Sequence, residues 1–219
     1  MRIGIIGAGF IGRAVAGLAV RSGHDVLISN SRGPETLGST VVALGCRAGG
    51  AVEAAAFGDV VVLAIPFRND TSIPAAPLDG KPVLDANNYD PQGDGQQAAL
   101  DRHETTASEM IAVHLQGAKL VKAFNAILQR DLAEGGAPPG AAGRRALPIA
   151  GDNGGATAVA TTLHDEFGYD VVDAGPLSEG WRFERAMPAY CIKLDEAGLR
   201  PALARAEPGV EAPHGSWRG

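Results

Sequence analysis

The first 32 residues read as a strand, a glycine-rich turn, a helix and a second strand, and no other stretch constrains the fold as strongly. An apolar run of strand length, residues 2–6, is followed at once by Gly7-Ala8-Gly9-Phe10-Ile11-Gly12, which has the spacing G-x-G-x-x-G. A helix follows, and Asp25-Val26-Leu27-Ile28-Ser29 forms the second strand. This order predicts the opening unit of a doubly wound, parallel α/β sheet of the Rossmann type.

Each glycine of this motif has a physical reason. Gly7 permits the tight turn, Gly9 keeps side-chain atoms away from a pyrophosphate, and Gly12 lets the helix pack close to the strand. Phe10 and Ile11 lie in the first turn of the helix, where N–H groups and the positive end of the dipole attract phosphate. We therefore predict that these five residues bind a dinucleotide.

The end of the second strand indicates which dinucleotide is bound. A site for NAD places Asp or Glu there to accept from the ribose 2′-hydroxyl. This chain has Ser29-Asn30-Ser31-Arg32 instead, which offers hydroxyl, amide and guanidinium donors. Since charge-assisted hydrogen bonds favour a 2′-phosphate, we predict that Ser29, Asn30, Ser31 and Arg32 select NADP(H). The alternative is an arginine that merely lies in a polar turn before the next helix.

Strands and helices alternate along the following residues. The clearest strand, residues 59–65, is continuously apolar, as expected for a parallel strand that is covered on both faces. Further strands are predicted at 45–48, 81–85 and 119–123, and helices at 34–44, 51–57 and 106–115. This alternation supports one doubly wound sheet with right-handed crossovers.

A glycine- and proline-rich stretch, residues 135–143, is the best candidate for a linker. It divides the chain into a predicted NADP-binding domain, residues 1–134, and a small C-terminal α/β lobe, residues 144–206. Residues 207–219 form a tail that we expect to be poorly ordered. Within the lobe we predict strands at 145–150 and 170–173 and helices at 154–167 and 189–205, the second helix being broken near residues 198–201.

Ligands of such sheets lie beyond the carboxyl ends of the strands. Ala64, Ile65 and Pro66 follow a strand and are predicted to form an apolar wall against the nicotinamide, with Asn87 holding its carboxamide. Three further residues at strand ends are candidates for contact with the substrate, namely Asn88, Phe124 and Asn125. Asparagines that cap their own turns are the alternative.

The composition favours a small-molecule partner. A formal net charge of −6 at pH 7 argues against nucleic acid or an anionic membrane surface. No apolar run approaches the ~18 residues of a membrane span, and we expect Met1 to begin the mature chain. Cys46 and Cys191 lack a C-x-x-C spacing and predict neither a disulfide framework nor a metal site. We therefore expect a cytoplasmic protein without a bound metal.

Motifs typical of metal and serine hydrolases are missing from the sequence. No H-x-x-x-H pair and no G-x-S-x-G elbow occurs, which argues against a metal or serine hydrolase. His24 lies at the wrong end of the sheet for catalysis and is predicted to be structural. His103 is predicted to be a solvated loop histidine. No catalytic residue is named on these grounds.

With these motifs, the chain resembles the NADPH-dependent reductases of coenzyme F420. The resemblance covers about residues 1–185 and rests on three blocks, which are the glycine turn with Ser31-Arg32, Lys122-Ala123-Phe124-Asn125, and residues 168–177. The last block is the most specific, since related dehydrogenases usually continue into an all-helical second domain. The resemblance implies a second redox cofactor that stacks over the nicotinamide, between the NADP domain and the small lobe.

Hydride transfer between NADPH and a ring acceptor is the activity that this resemblance implies. The acceptor is coenzyme F420, a flavin or a quinone-like ring, and the protein mainly holds two rings in contact. An imine or pyrroline reductase is one alternative, although such enzymes need a longer helical dimerisation domain. An NADP-binding redox sensor without turnover is another. A homodimer is an open expectation, and Trp181 is expected to pack the lobe.

Overall fold

A computed structural model describes residues 1–216 of the chain. Within these residues a sheet of eight strands has the order β3-β2-β1-β4-β5-β6-β7-β8. Along the chain the strands are β1 Arg2–Ile6, β2 Asp25–Ser29, β3 Arg47–Ala48, β4 Val60–Leu63, β5 Pro82–Asp85, β6 Lys119–Lys122, β7 Ala146–Gly151 and β8 Asp170–Asp173. The strand order reverses between β1 and β4, which confirms the predicted Rossmann-type α/β fold.

Helices connect the strands and cover the sheet. The described residues contain α1 Phe10–Arg21, α2 Gly38–Leu44, α3 Ala51–Phe57, α4 Pro91–Asp94, α5 Ala98–Asp101, α6 Ala107–His114, α7 Gln129–Glu134, α8 Gly154–Glu166 and α9 Glu196–Ala204. Short 3₁₀ helices cover Pro34–Leu37, Phe67–Ser72, Ala76–Leu78 and Leu177–Phe183. The predicted helix at 34–44 is therefore a 3₁₀ turn that continues into α2.

The central strands are apolar because helices pack on both faces of the sheet. Alternate residues of β4 belong to two separate core clusters, since successive side chains of a strand point to opposite faces. Val15 of α1 lies in one cluster and Ala54 of α3 in the other. Helix α3 approaches so closely that a Cβ on Gly4 would lie 2.0 Å from the Ala54 carbonyl oxygen.

The small lobe continues the main sheet. Strand β7 runs antiparallel to β6, with Lys122 opposite Ala150 and Val121 opposite Gly151, and β8 pairs in parallel with β7. Only the end of β7 pairs with the end of β6, so the rest of β7 projects beyond the carboxyl edge of the parallel strands. The lobe therefore stands beside the edge where ligands of such sheets bind. The boundaries 1–134 and 144–206 stay a prediction.

The predicted helix at 189–205 is wrong in its first half, and the break predicted near residues 198–201 is wrong too, since one helix includes Pro201. Helix α9 begins at Glu196, because the Asp195 carboxylate accepts from the Gly198 N–H and caps its first turn. Upstream, Cys191 has a φ of 57°, in the left-handed region that a right-handed helix does not include. Apolar periodicity alone did not reveal this break.

The tail is attached to the rest of the protein by hydrogen bonds, contrary to the expected poor order, although most of residues 207–216 are exposed. The Ala212 N–H donates to the Ala186 carbonyl at 2.7 Å, and the Ser216 hydroxyl donates to the Tyr190 carbonyl at 2.8 Å. These bonds attach residues 207–216 to the segment that follows the last 3₁₀ helix. The final three residues of the predicted tail, 217–219, lie outside the described residues.

Candidate functional site

The glycine turn after β1 accommodates its three glycines for different reasons. Gly7 has a φ of 114°, and its N–H donates to the Ser29 carbonyl at 3.0 Å. A Cβ on Gly12 would lie 1.9 Å from the Gly7 oxygen, so only glycine lets α1 approach β1. Among the described residues, a Cβ on Gly9 would meet only the Ala64 oxygen, at 4.0 Å. The protein thus leaves open space at Gly9, where the motif brings a pyrophosphate close to the backbone.

The N-terminus of α1 is open toward this space. Its N-cap, Gly9, provides no side chain to accept from the first N–H groups, and the first turn contains no acidic residue. The ring of Phe10 is 80% exposed, and Ile11 is half-buried. Unpaired N–H groups and the positive end of a helix dipole form an anion site, so the residues present here fit a dinucleotide phosphate.

Two of the four polar residues at the end of β2 have internal roles. Ser29 is fully buried, and its hydroxyl donates to the Ile5 carbonyl at 3.1 Å. The prediction that Ser29 binds the cofactor is therefore wrong, because its side chain has no exposed surface. The Asn30 amide donates to Thr36 Oγ1 at 2.8 Å and accepts from the Arg32 N–H at 3.1 Å, which shapes the turn.

Ser31 and Arg32 remain as donors for a 2′-phosphate. Both residues are exposed, and no hydrogen bond or ion pair engages their side chains within residues 1–216. The first carboxylate after β2, Glu35, lies against Gly33, where a Cβ would come within 2.3 Å of its Oε1. An exposed guanidinium without a partner suits the recognition of a phosphate dianion.

Asn87, just after β5, has one side-chain donor without a partner. Its Oδ1 accepts the Ile65 N–H at 2.9 Å, which fixes the amide orientation because a backbone N–H requires an oxygen. Its Nδ2 then has no partner among the described residues, although Asn87 is only 3% exposed. A buried donor without a partner is unfavourable, so this amide is suited to donate to a ligand. Ala64 and Pro66 flank Ile65 as the predicted apolar wall.

A buried charged cluster holds the backbone of Asn87. The Asn87 N–H donates to Asp85 Oδ1 at 3.0 Å, and its carbonyl accepts from Lys122 Nζ at 3.1 Å. Lys122 also donates to Ser108 Oγ at 3.0 Å and pairs with Glu184 at 2.8 Å, while the Ser108 hydroxyl donates to Asp85 Oδ2 at 2.6 Å. We call Asp85, Ser108, Lys122 and Glu184 the Lys122 cluster.

The Lys122 cluster is almost completely buried from solvent. Asp85, Ser108 and Lys122 are 0% exposed, and Glu184 is partly exposed. Burial raises the pKa of Asp85, and the nearby Lys122 ammonium opposes this shift. The sequence analysis missed this cluster. Its signal was a charged residue at the end of each of two otherwise apolar strands, since a buried charge requires a partner.

Asn88 and Asn125 connect the loops that follow β5 and β6. The Asn88 amide donates to the Asn125 carbonyl at 3.0 Å, and the Asn125 amide donates to Asn88 Oδ1 and to the Phe183 carbonyl, each at 3.0 Å. Asn125 Oδ1 has no partner among the described residues, although Asn125 is 3% exposed. Both asparagines therefore bond across the two loops, and Asn125 presents one unpaired acceptor.

Phe124 is not a substrate residue, and that prediction is wrong. It is 1% exposed, and its ring stacks on the His164 ring with 4.0 Å between centroids. Phe167, directly after α8, also contacts Phe124, with 5.8 Å between the two ring centroids. Phe124 thus packs α8 against the sheet, and its φ of 61° carries the chain into Asn125. Burial in this core leaves no ring surface for a ligand.

A cavity of about 910 Å³ lies beside these loops. Its walls come from residues 89–92, from the segment 100–109 and from residues 178–187, with part of the tail. Trp181 lines this cavity, and the Arg182 guanidinium lies 4.6 Å from its ring centroid, so its ring is not confined to packing the lobe. His103 is exposed, as predicted, and also lines the cavity.

Three further predictions concern His24, membrane-spanning helices and metal sites. His24 is structural, since its Nε2 lies 2.7 Å from Glu166 Oε2 and joins the end of α1 to α8. Within residues 1–216, no helix combines the length and apolar character that a membrane crossing requires. The same residues contain no group of three or more His, Cys, Asp or Glu side chains that could hold a metal ion. The homodimer and the cytoplasmic location stay predictions.

Comparison with known sequences identifies the N-terminal part of the chain. Residues 2–89 match the profile of a family described as NADP oxidoreductase coenzyme F420-dependent. The protein YjhV of Escherichia coli (strain K12) is 36% identical over 72 residues, which cover 33% of this chain and 53% of YjhV. The match thus spans about half the length of that curated relative.

Solved structures match a larger part of the chain. The hypothetical protein SMa0349 from Sinorhizobium meliloti has a TM-score of 0.76 and 29% identity over 90% of this chain and 95% of its own. A candidate F420-dependent NADP reductase from Arthrobacter sp. FB24 has a TM-score of 0.68 and 26% identity over 80% of this chain and 85% of its own. The imine reductase BcSIRED from Bacillus cereus, at 19% identity and a TM-score of 0.59, is matched over 57% of its length and shares the fold alone.

These findings confirm the resemblance that the glycine turn predicted. The chain has a Rossmann-type fold, and its residues 2–89 are similar to the NADP oxidoreductases that this family model describes.

Proposed function

Residues 2–89 carry the N-terminal domain of the coenzyme F420-dependent NADP oxidoreductases, and from this premise we propose an NADPH-dependent oxidoreductase that transfers a hydride to a ring acceptor. The candidate acceptors are coenzyme F420, a flavin and a quinone-like ring. The observation that carries the choice of NADPH is Arg32, whose exposed guanidinium follows β2 where an NAD site would have a carboxylate.

Other residues hold the remaining parts of the dinucleotide. The open N-terminus of α1 and the space at Gly9 take the pyrophosphate. The unpaired donor Asn87 Nδ2 suits the carbonyl oxygen of a carboxamide, and the unpaired acceptor Asn125 Oδ1 suits its NH2 group. The nicotinamide is thereby held at the ends of β4 and β5, with Ile65 and Pro66 against it.

The bound nicotinamide supplies the hydride, and the chain supplies the arrangement of the two rings. The Lys122 cluster fixes the backbone of Asn87 through bonds to its N–H and its carbonyl. The lobe closes the cavity beside this position, which excludes water from one side of the acceptor. A transfer between two held rings gains mostly from proximity and orientation, so it requires few reactive side chains.

Arg32→Ala tests the proposed cofactor. Loss of a charge-assisted hydrogen bond of about 1.5–3 kcal/mol should weaken NADPH binding by about ten- to a hundredfold and leave NADH binding nearly unchanged. Dissociation constants from nicotinamide fluorescence measure both effects. Arg130→Ala is the matched control, since Arg130 is exposed on α7 and is 83% accessible through its side chain. Equal weakening of NADPH and NADH by Arg32→Ala would remove Arg32 from the phosphate site.

A turnover assay separates an enzyme from a redox sensor. The protein is mixed with NADPH and with coenzyme F420, FMN or a quinone, and the nicotinamide absorbance is followed. We expect NADPH oxidation with at least one acceptor. NADPH binding without oxidation in any of the three mixtures would favour the sensor and refute the enzyme.

A further inference from the structure

The cavity at the carboxyl edge has a wall that suits a flat ring. Tyr89, Leu100, Trp181 and Met187 contribute aromatic and apolar surface. Tyr89 follows Asn87 and Asn88 in the chain, so one wall of the cavity begins two residues after the proposed carboxamide contact. A ring in this cavity would therefore lie next to the nicotinamide, where an acceptor must lie for direct transfer.

The lining of this cavity contains more carboxylates than cations. Its lining contains six carboxylates, which are Asp90, Asp101, Glu104, Glu109, Glu184 and Glu211. Among the lining residues within 89–211, Arg185 is the one arginine or lysine, and its Nη1 lies 3.0 Å from Asp90 Oδ1. A negatively charged ligand would meet these carboxylates, and the lining arginine, Arg185, already pairs with Asp90.

Of the lining carboxylates other than Glu211, three pair with cations, whereas Asp101 and Glu109 have neutral partners. Glu104 pairs with Arg102 and Glu184 pairs with Lys122. Asp101 accepts from the Tyr89 hydroxyl, and Glu109 accepts from the Thr106 N–H, and these neutral donors bring no positive charge. The hydrogen bonds fix these carboxylates in place, and they hold the potential of the cavity negative.

We propose that this cavity binds a ring acceptor that carries no negative charge, and that it rejects acceptors with phosphate or carboxylate tails. The inference rests on the proposed function and narrows its acceptor class. An uncharged flavin or quinone-like ring fits the aromatic wall and the fixed carboxylates. FMN, and a deazaflavin with an anionic tail, would bring like charges into the cavity.

A pair of flavins isolates the effect of charge. Riboflavin and FMN have the same isoalloxazine ring and differ by one phosphate, so binding at pH 8 and low ionic strength compares charge alone. Flavin fluorescence measures binding without any need for turnover. We expect riboflavin to bind at least about tenfold more tightly than FMN, and the ratio to fall as salt screens the carboxylates.

A charge reversal in the wall sharpens this test. Glu104→Lys should strengthen FMN binding by about tenfold and leave riboflavin binding unchanged. Glu134→Lys makes the same change on α7, at an exposed residue outside the cavity, and should alter neither flavin. An effect of both variants on FMN would indicate net charge rather than the cavity and would overturn the assignment.

Two other results would contradict the inference. Binding of FMN as tight as that of riboflavin would show that the carboxylates do not select, and no binding of either flavin up to the solubility limit of riboflavin would show that the cavity takes no such ring. NADPH is titrated into the same samples. If NADPH binds but the flavins give either of these two results, only this inference fails. A failure of NADPH to bind refutes the proposed function itself.

Discussion

The two ends of the carboxyl edge of the sheet are built in opposite ways. At the nucleotide end, near β1 and β2, the glycine turn leaves open space, α1 presents unpaired N–H groups, and Arg32 has no partner within the described residues. At the lobe end, near β5 and β6, the buried Lys122 pairs with the partly exposed Glu184, and Ser108 connects it to the buried Asp85. The first end presents unpaired groups to a ligand, whereas the charged groups of the second end pair with one another.

This difference explains how strongly each end depends on its own side chains. Unpaired groups at the nucleotide end contribute to binding, and removing one should leave the fold intact. The buried charges of the lobe end stabilise the fold only together, because a single unpaired charge in the interior is strongly unfavourable. Substitutions at the two ends should therefore separate binding from stability.

The largest expected effect is the loss of the lysine of the Lys122 cluster. Lys122→Met leaves Asp85 and Glu184 without their cation and should lower the free energy of unfolding by about 3–5 kcal/mol. Chemical denaturation measures this change. Lys119→Met, in the same strand at an exposed position, is the control and should change stability little. Equal stability of the two variants would show that the cluster is not what holds the lobe end.

A pH-dependent loss of stability should follow from His164. Burial lowers the pKa of His164 to about 4, from an unfolded value near 6.5, so the ring is neutral in the folded protein. Protonation then favours the unfolded state, and stability that is complete above pH 6.5 is lost as the pH falls through about 4. The full contribution is about 3 kcal/mol.

The measurement compares unfolding of the native chain and of His164→Phe between pH 7 and pH 4. The phenylalanine preserves the stacking on Phe124 and cannot be protonated. The difference between the two curves isolates His164 from Asp85, whose raised pKa acts in the opposite direction. Parallel curves over this range would contradict a neutral, buried His164.

A smaller effect, on binding alone, is expected at the nucleotide end. Gly9→Ala places a methyl group in the open space and should weaken NADPH at least about tenfold, since tenfold corresponds to about 1.4 kcal/mol. Its free energy of unfolding should stay within about 1 kcal/mol of the native value. Gly12→Ala is the contrasting variant, because its Cβ would lie 1.9 Å from the Gly7 oxygen and must disturb the fold. Unchanged NADPH affinity in Gly9→Ala would mean that no phosphate lies there.

Sequence reasoning succeeded where one continuous segment contains the information. The glycine spacing and the polar end of β2 lie within residues 1–32, and they predicted the Rossmann-type fold that the structure confirms, while the position of the nucleotide site stays a prediction. Within that segment it failed at Ser29, since whether a residue at a strand end points inward or outward depends on the register of the neighbouring strand. Here the side chain points to the Ile5 carbonyl.

The lobe end could not be predicted in the same way. Glu184 meets Lys122 only because β7 runs antiparallel to β6 and brings the lobe beside the sheet. No local pattern states that pairing. Phe124 was misread for a related reason, because its partner His164 lies on a helix of the lobe. Contacts between distant segments decide both cases, and a single sequence does not contain them in readable form.

A crystal structure with NADPH tests the central claim most directly. The account predicts the 2′-phosphate within hydrogen-bond distance of Arg32, the pyrophosphate against Gly9 at the start of α1, and the carboxamide on Asn87 Nδ2. A 2′-phosphate that lies away from Arg32, or a nicotinamide that leaves Asn87 Nδ2 without a partner, would contradict it.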